Sequence, residues 1–215
     1  MASGFPGSID SFTNPLSNSA LNSPSHAGQH QDLNDAVNKI ETYMGLVKVI
    51  PTSATNGTVA ANGTVTVGNA VTSVTISGCF SALYDNYRII YKGGSSTASN
   101  DLAIQLGSTT TGYYYGSIYK DYGGGAVASI GVANGANWTY AGCQDTPNSL
   151  DVDIFLPFAT AITNISANYV GSTTGRVVAR GGGMLNNTTS YTDLKILVGA
   201  GNITGGSIRI YGYRN

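Results

Sequence analysis

The chain has 215 residues, 41% of them hydrophobic, enough for one sizeable core. Charged residues are 10% of the chain against about 25% in ordinary soluble domains, so the surface must be built from Ser, Thr, Asn and Gly. A net charge of -1 without a run of Lys or Arg in the sequence argues against a phosphate-neutralising nucleic-acid binder, and no apolar run approaches the ~20 residues of a membrane-spanning helix.

Residues 1–23 read as an extended arm, dominated by Ser, Asn, Gly and Pro, in which Phe5, Ile9, Phe12 and Leu16 are candidate anchors into another protein's surface. The N-terminus lacks the basic and apolar regions of a signal peptide, so synthesis in a cytoplasm is expected.

Residues 24–45 read as a helix. Ser23-Pro24 is an N-cap followed by proline at the first helical position, and Gly45 supplies a C-terminal stop. His26, His30, Leu33, Val37, Ile40 and Met44, continued by Val47, recur four and three apart, the a/d spacing of a coiled-coil seam. Gln31, Asp32, Asn34, Asp35, Asn38, Lys39 and Glu41 form a polar opposite face. Fewer than three heptads are marginal alone, so the alternative is an amphipathic helix packed on its own β domain; the seam residues do not set the strand number. His26 and His30 would stack near the axis of such a coil, as polar layers or as a metal- or pH-responsive pair; the polar layers are the simpler reading, and no metal is assigned.

Residues 46–215 read as a β head. Asn-Gly pairs at Asn56-Gly57 and Asn62-Gly63 mark hairpin turns, and strands are expected at 71–76, 87–91, 102–106, 150–156, 162–170, 194–198 and 207–213. Strict alternation at 102–106 and 150–154 predicts strands with one wet face. Short strands punctuated by Gly, Asn and Ser predict a mainly β fold, a jelly-roll-like antiparallel sandwich, with 93–100 and 123–137 as loops and the triplets Gly123-Gly124-Gly125 and Gly181-Gly182-Gly183 as turns. Cys79 and Cys143 are too few for a disulfide framework and read as buried thiols, their pairing left open.

Catalytic chemistry finds little to work with. Both histidines precede the β head, which therefore cannot assemble a Ser-His-Asp or Cys-His constellation. Asp151 and Asp153 are a carboxylate pair of the kind glycosidases use, but alternation with apolar neighbours explains them as the wet face of a strand. No enzyme and no cofactor is expected. The run Tyr113-Tyr114-Tyr115 with Trp138 and Tyr140 offers aromatic faces for a host-surface glycan; the competing reading places most of these rings in the core or a subunit contact. The Asn-X-Ser/Thr triplets reflect composition alone.

Phe5-Pro6-Gly7-Ser8-Ile9-Asp10-Ser11-Phe12, then His26-Ala27-Gly28-Gln29-His30 and Leu33-Asn34-Asp35-Ala36-Val37 through Ile40-Glu41 to Gly45, resemble the N-terminal module of tailed-bacteriophage virion proteins. Tyr84-Asp85-Asn86-Tyr87-Arg88-Ile89 and Gly205-Gly206-Ser207-Ile208-Arg209-Ile210-Tyr211-Gly212-Tyr213 resemble the β domains of phage fibre and appendage proteins. The resemblance implies a homotrimer made in the host cytoplasm and carried on the virion: an anchoring arm, a three-stranded coiled coil and a jelly-roll head. Its partners would be copies of itself and virion proteins of the tail, neck or capsid. A short tail or neck fibre that meets the host surface is the first expectation; a head fibre or capsid decoration protein is the alternative.

Overall fold

The computed structural model describes residues 26–43, 45–171 and 177–213. The anchor candidates Phe5, Ile9, Phe12 and Leu16, and seam residue Met44, lie outside the described residues. The chain divides into two compact units, one ending at Val47 and one beginning at Lys48.

In the first unit, α1 runs over His26–Tyr43. Its first turn carries no acidic residue and its last no basic one, so its own end turns hold no charge that offsets the macrodipole. Gly45 follows at φ +82°, the left-handed conformation that ends helices and that only glycine adopts freely. Val47 falls in β1 (Leu46–Lys48), so the apolar spacing outlasts the helix.

In the second unit follow β2 (Ser53–Thr55), β3 (Gly57–Val59), β4 (Val65–Val67), β5 (Ser73–Ser77), β6 (Asn86–Gly93), β7 (Ser95–Ser96), β8 (Asn100–Leu106) and β9 (Tyr113–Asp121). Then come β10 (Ala128–Gly135), β11 (Trp138–Gln144), β12 (Asn148–Phe155), β13 (Thr163–Val170), β14 (Val177–Leu185), β15 (Leu194–Val198), β16 (Ile203–Thr204) and β17 (Ser207–Tyr213). The fold is mainly β, and its ladders are antiparallel.

The main sheet forks at β12. Ser149 and Leu150 pair with Cys143 and Gly142 of β11, whereas Asp151 to Phe155 pair with β13. One branch continues β13-β14-β9-β10, and the other β11-β8-β15-β5-β2. The opposite edge of β12 pairs along its length with β6, which leads to β17, β4 and β3. Among the described residues β10 pairs with β9 alone and ends its branch. It contains no charged residue and no proline.

The two branches pack face to face. The Trp138 indole N–H on β11 donates to the Met184 carbonyl on β14 at 3.3 Å, and its ring meets Tyr113 of β9 edge-on at 5.1 Å. The Tyr113 hydroxyl in turn accepts the Leu106 amide of β8 at 2.8 Å. Alternation supplies the rest: Tyr87, Ile89 and Tyr91 of β6, Leu150 and Ile154 of β12, Leu102 and Ile104 of β8, and Leu194 and Ile196 of β15 are all fully buried. Each such side chain contributes about 1.5–3 kcal/mol. Buried amides are satisfied: Asn148 donates to the Tyr91 hydroxyl and the Gly93 carbonyl, and Gln144 accepts from the Gly199 and Ala200 amides.

The seven expected strands are present, and Asn62-Gly63 turns the β3/β4 hairpin with Gly63 at φ +77°. Asn56, at φ +63°, is a turn but not a hairpin, since β2 and β3 on either side of it pair with β5 and β4 rather than with each other. Four further readings are corrected. Residues 102–106 have no wet face: Ala103 and Gln105 are buried along with Leu102, Ile104 and Leu106, because β8 lies between β11 and β15 and is covered on both sides. The stretch 93–100 is not all loop, because β7 occupies Ser95–Ser96 and pairs with β16. The stretch 123–137 is not all loop, because β10 occupies Ala128–Gly135; small residues there alternate in exposure beside β9. Gly181, Gly182 and Gly183 are not a turn but the middle of β14. A Cβ at Gly183 would meet the Tyr114 carbonyl and lie 2.8 Å from the Tyr115 Cβ, so close approach to β9, not chain reversal, requires glycine there. Cys79 and Cys143 are both free and buried. Burial pushes both thiols up, Cys143 to about 11, leaving them protonated and unreactive at neutral pH.

Candidate functional site

On α1 the seam candidates Leu33, Val37 and Ile40 are 53%, 44% and 42% exposed, a large apolar stripe open on the helix surface. His30 is also exposed. His26 opens the helix, and its side chain lies outside the described residues. Among the described residues no three His, Cys, Asp or Glu side chains gather as a metal site.

The aromatic set does not form one surface. Tyr113 is 0% and Trp138 1% exposed, so neither ring has a face left for a sugar, and both are withdrawn as contacts in the folded protomer. The physical reason is the strand period of two: Tyr113 and Tyr115 point to the inner side of β9 and Tyr114 to the outer side. Tyr115 and Tyr140 are half-buried and tilted against each other at 6.0 Å, while Tyr114 stands beside Met184 across the β9/β14 register.

Behind Tyr140 lies a small cluster of Cys143, Tyr169 and Ala179, against which Tyr119, Tyr140 and Val177 pack. Asp101 is register partner to Cys143. Burial alone raises its carboxyl to about 6. Its negative charge in turn adds to the upward displacement of the Tyr169 and Tyr140 hydroxyls, for which burial is the larger cause.

The outer face of β9-β14-β13-β12-β6-β17 is the most organised exposed surface in the second unit. Antiparallel register sets Ile118, Arg180, Asn168, Asp151, Ile90 and Arg209 in one row across six strands. In the neighbouring rows stand Lys120, Val178 and Val170 on one branch and Lys92 beside Ser149, with Asp153 and Arg88 opposite each other on the other side. Asp151 and Arg88 form an ion pair at 2.6 Å, and Asp153 accepts the Tyr213 hydroxyl proton. The Arg88 guanidinium is held further up by that Asp151 contact. These two carboxylates are thus engaged in cross-strand bonds on a solvated face.

A depression of about 620 Å³ lies in this face, lined by Lys92, Lys120 and Arg180 around Ile118, Val170 and Val178, with Ser149, Asn168 and Asp151 at its side. Its floor is aliphatic and open, Ile118 being 61% and Val178 46% exposed. Nothing in the order of residues announces this site. Lys92, Lys120 and Arg180 come from three strands far apart in the chain, and only the register of β9 and β14, neither expected from the sequence, brings them together. No protein-family model, curated protein or solved structure matches this chain.

Proposed function

We propose that the chain is a structural protein of a tailed-bacteriophage virion, a homotrimeric short tail or neck fibre. In this reading the helical segment zips with two copies of itself through His26, His30, Leu33, Val37, Ile40 and Met44 into a three-stranded coiled coil, and the arm with Phe5, Ile9, Phe12 and Leu16 attaches to the particle. The β domain, a jelly-roll-like head, is presented to the host surface. The observation that carries the reading is the apolar stripe: three large aliphatic side chains at a/d spacing lie open on a mostly polar helix. Water-exposed aliphatics gain free energy by being covered, and their a/d spacing is the one that fits a partner helix.

Light scattering on the full chain tests this directly. A mass of three chains is expected, and Val37→Asp, which sets like charges together in one layer, should reduce it. A monomeric wild type, or a Val37→Asp variant of unchanged mass, refutes the coiled coil. Copy number in purified particles assigns the location: a few multiples of three favours the tail or neck, and a count in the tens or hundreds favours a head fibre or capsid decoration protein.

A further inference from the structure

We propose that the depression on the outer face of β9-β14-β13-β12-β6 docks an acidic, aliphatic-rich segment of a partner polypeptide. The inference rests on the second unit alone and goes beyond the fibre reading.

The charge distribution comes first. Five of the chain's ten Lys and Arg residues, Arg88, Lys92, Lys120, Arg180 and Arg209, stand on this one face. On the same strands' outer rows are two carboxylates, Asp151 and Asp153, and both are already engaged by Arg88 and Tyr213. A chain with net charge -1 has therefore gathered half its cations where few acids answer them. Such a patch attracts anions over roughly a Debye length, about 8–10 Å in ordinary salt.

The floor decides among anionic partners. Between Lys92, Lys120 and Arg180 its aliphatic lining is Ile118, Val127, Val170 and Val178, all substantially exposed. Aliphatic side chains of a peptide would cover these and gain burial energy while neighbouring carboxylates meet the cations. A polyuronate would set hydroxyls against the aliphatic floor without partners, which disfavours it. A bilayer surface is flat, whereas this site is concave. A second copy of the same face would oppose cation to cation, which disfavours self-association there.

The test uses the full chain and a short synthetic peptide alternating Glu with Val, read by titration calorimetry. Saturable binding that weakens as salt rises is expected, with at least about a tenfold loss in Arg180→Ser and in Lys120→Ser. Both positions are on the solvated side of their strands, and unchanged thermal unfolding of each variant confirms that the fold is intact. A Gln/Val peptide of the same length should bind far more weakly. Equal binding of the Gln/Val peptide, no effect of either substitution, or no binding at all overturns the proposal. Tighter, Arg180-dependent binding of polygalacturonate or of phosphatidylglycerol vesicles overturns it in favour of a glycan or a membrane. A fall in oligomer mass in Arg180→Ser overturns it in favour of self-association. The fibre reading is judged separately, by the mass of the wild type.

Discussion

Replacing Asp101 by Asn should stabilise the fold at neutral pH and lose that advantage in acid. Asp101 sits in β8 beside Cys143, with Tyr140 and Tyr169 near enough to feel its charge. Burial holds its carboxyl at about 6, above the ordinary 3.8. Between those two values the unfolded chain releases the proton first, so the native state binds more protons and wild-type stability falls as pH rises through this window. Above about 6 both states are ionised and the loss is complete. A displacement of this size corresponds to about 3 kcal/mol, and because the side chain keeps partial access to water, about 1–2 kcal/mol is the realistic figure. Urea unfolding of wild type and Asp101→Asn at several pH values between ~3.5 and ~7.5 measures it, the useful quantity being the change of their difference with pH, from which any constant packing offset cancels. A difference that stays flat across the window, or that grows toward acid, refutes the assignment of a buried, desolvated carboxyl.

Two further outcomes follow from the packing. Trp138→Ala should cost about 3–5 kcal/mol in urea unfolding, because the ring is enclosed between the branches; Tyr114→Ala, on the outer face, should cost much less. Gly212→Ala should destabilise by about 1–3 kcal/mol, since a Cβ there would fall inside the buried Tyr84 ring, while Gly123→Ala, with open space around it, should stay within about 0.5 kcal/mol in the same assay.

What could be read from residues alone divides along a physical line. Strands whose apolar positions alternate with polar ones, such as Leu150-Asp151-Val152-Asp153-Ile154, announce themselves, because one wet face leaves a period of two in the sequence. β9, β10 and β14 do not. Their inner positions include Tyr, Ser and Gly as well as aliphatics, and glycine reads as a turn wherever backbone approach cannot be foreseen, as at Gly181 to Gly183. The aromatic cluster was misplaced for a related reason. Three consecutive tyrosines have to split between the faces of a strand, but which face holds the core depends on a partner that local spacing does not name. The helix was legible from its heptads and from the stop at Gly45, while Ser23-Pro24 lie outside the described residues, and its open stripe is a property of the spacing itself. The basic depression was invisible because it is assembled by register from Lys92, Lys120 and Arg180, which stand about 30 to 90 positions apart in the chain.

β10 carries a liability of its own. Eight residues, Ala128-Ser129-Ile130-Gly131-Val132-Ala133-Asn134-Gly135, offer a rim of backbone amides and carbonyls that no described strand covers and no lysine, aspartate or proline guards. Natural sheets blunt such rims, because an unguarded one templates the addition of any extended chain that drifts past. In concentrated solution, and more so while newly made copies are still folding, this rim is where molecules of the protein would begin to stitch together out of turn.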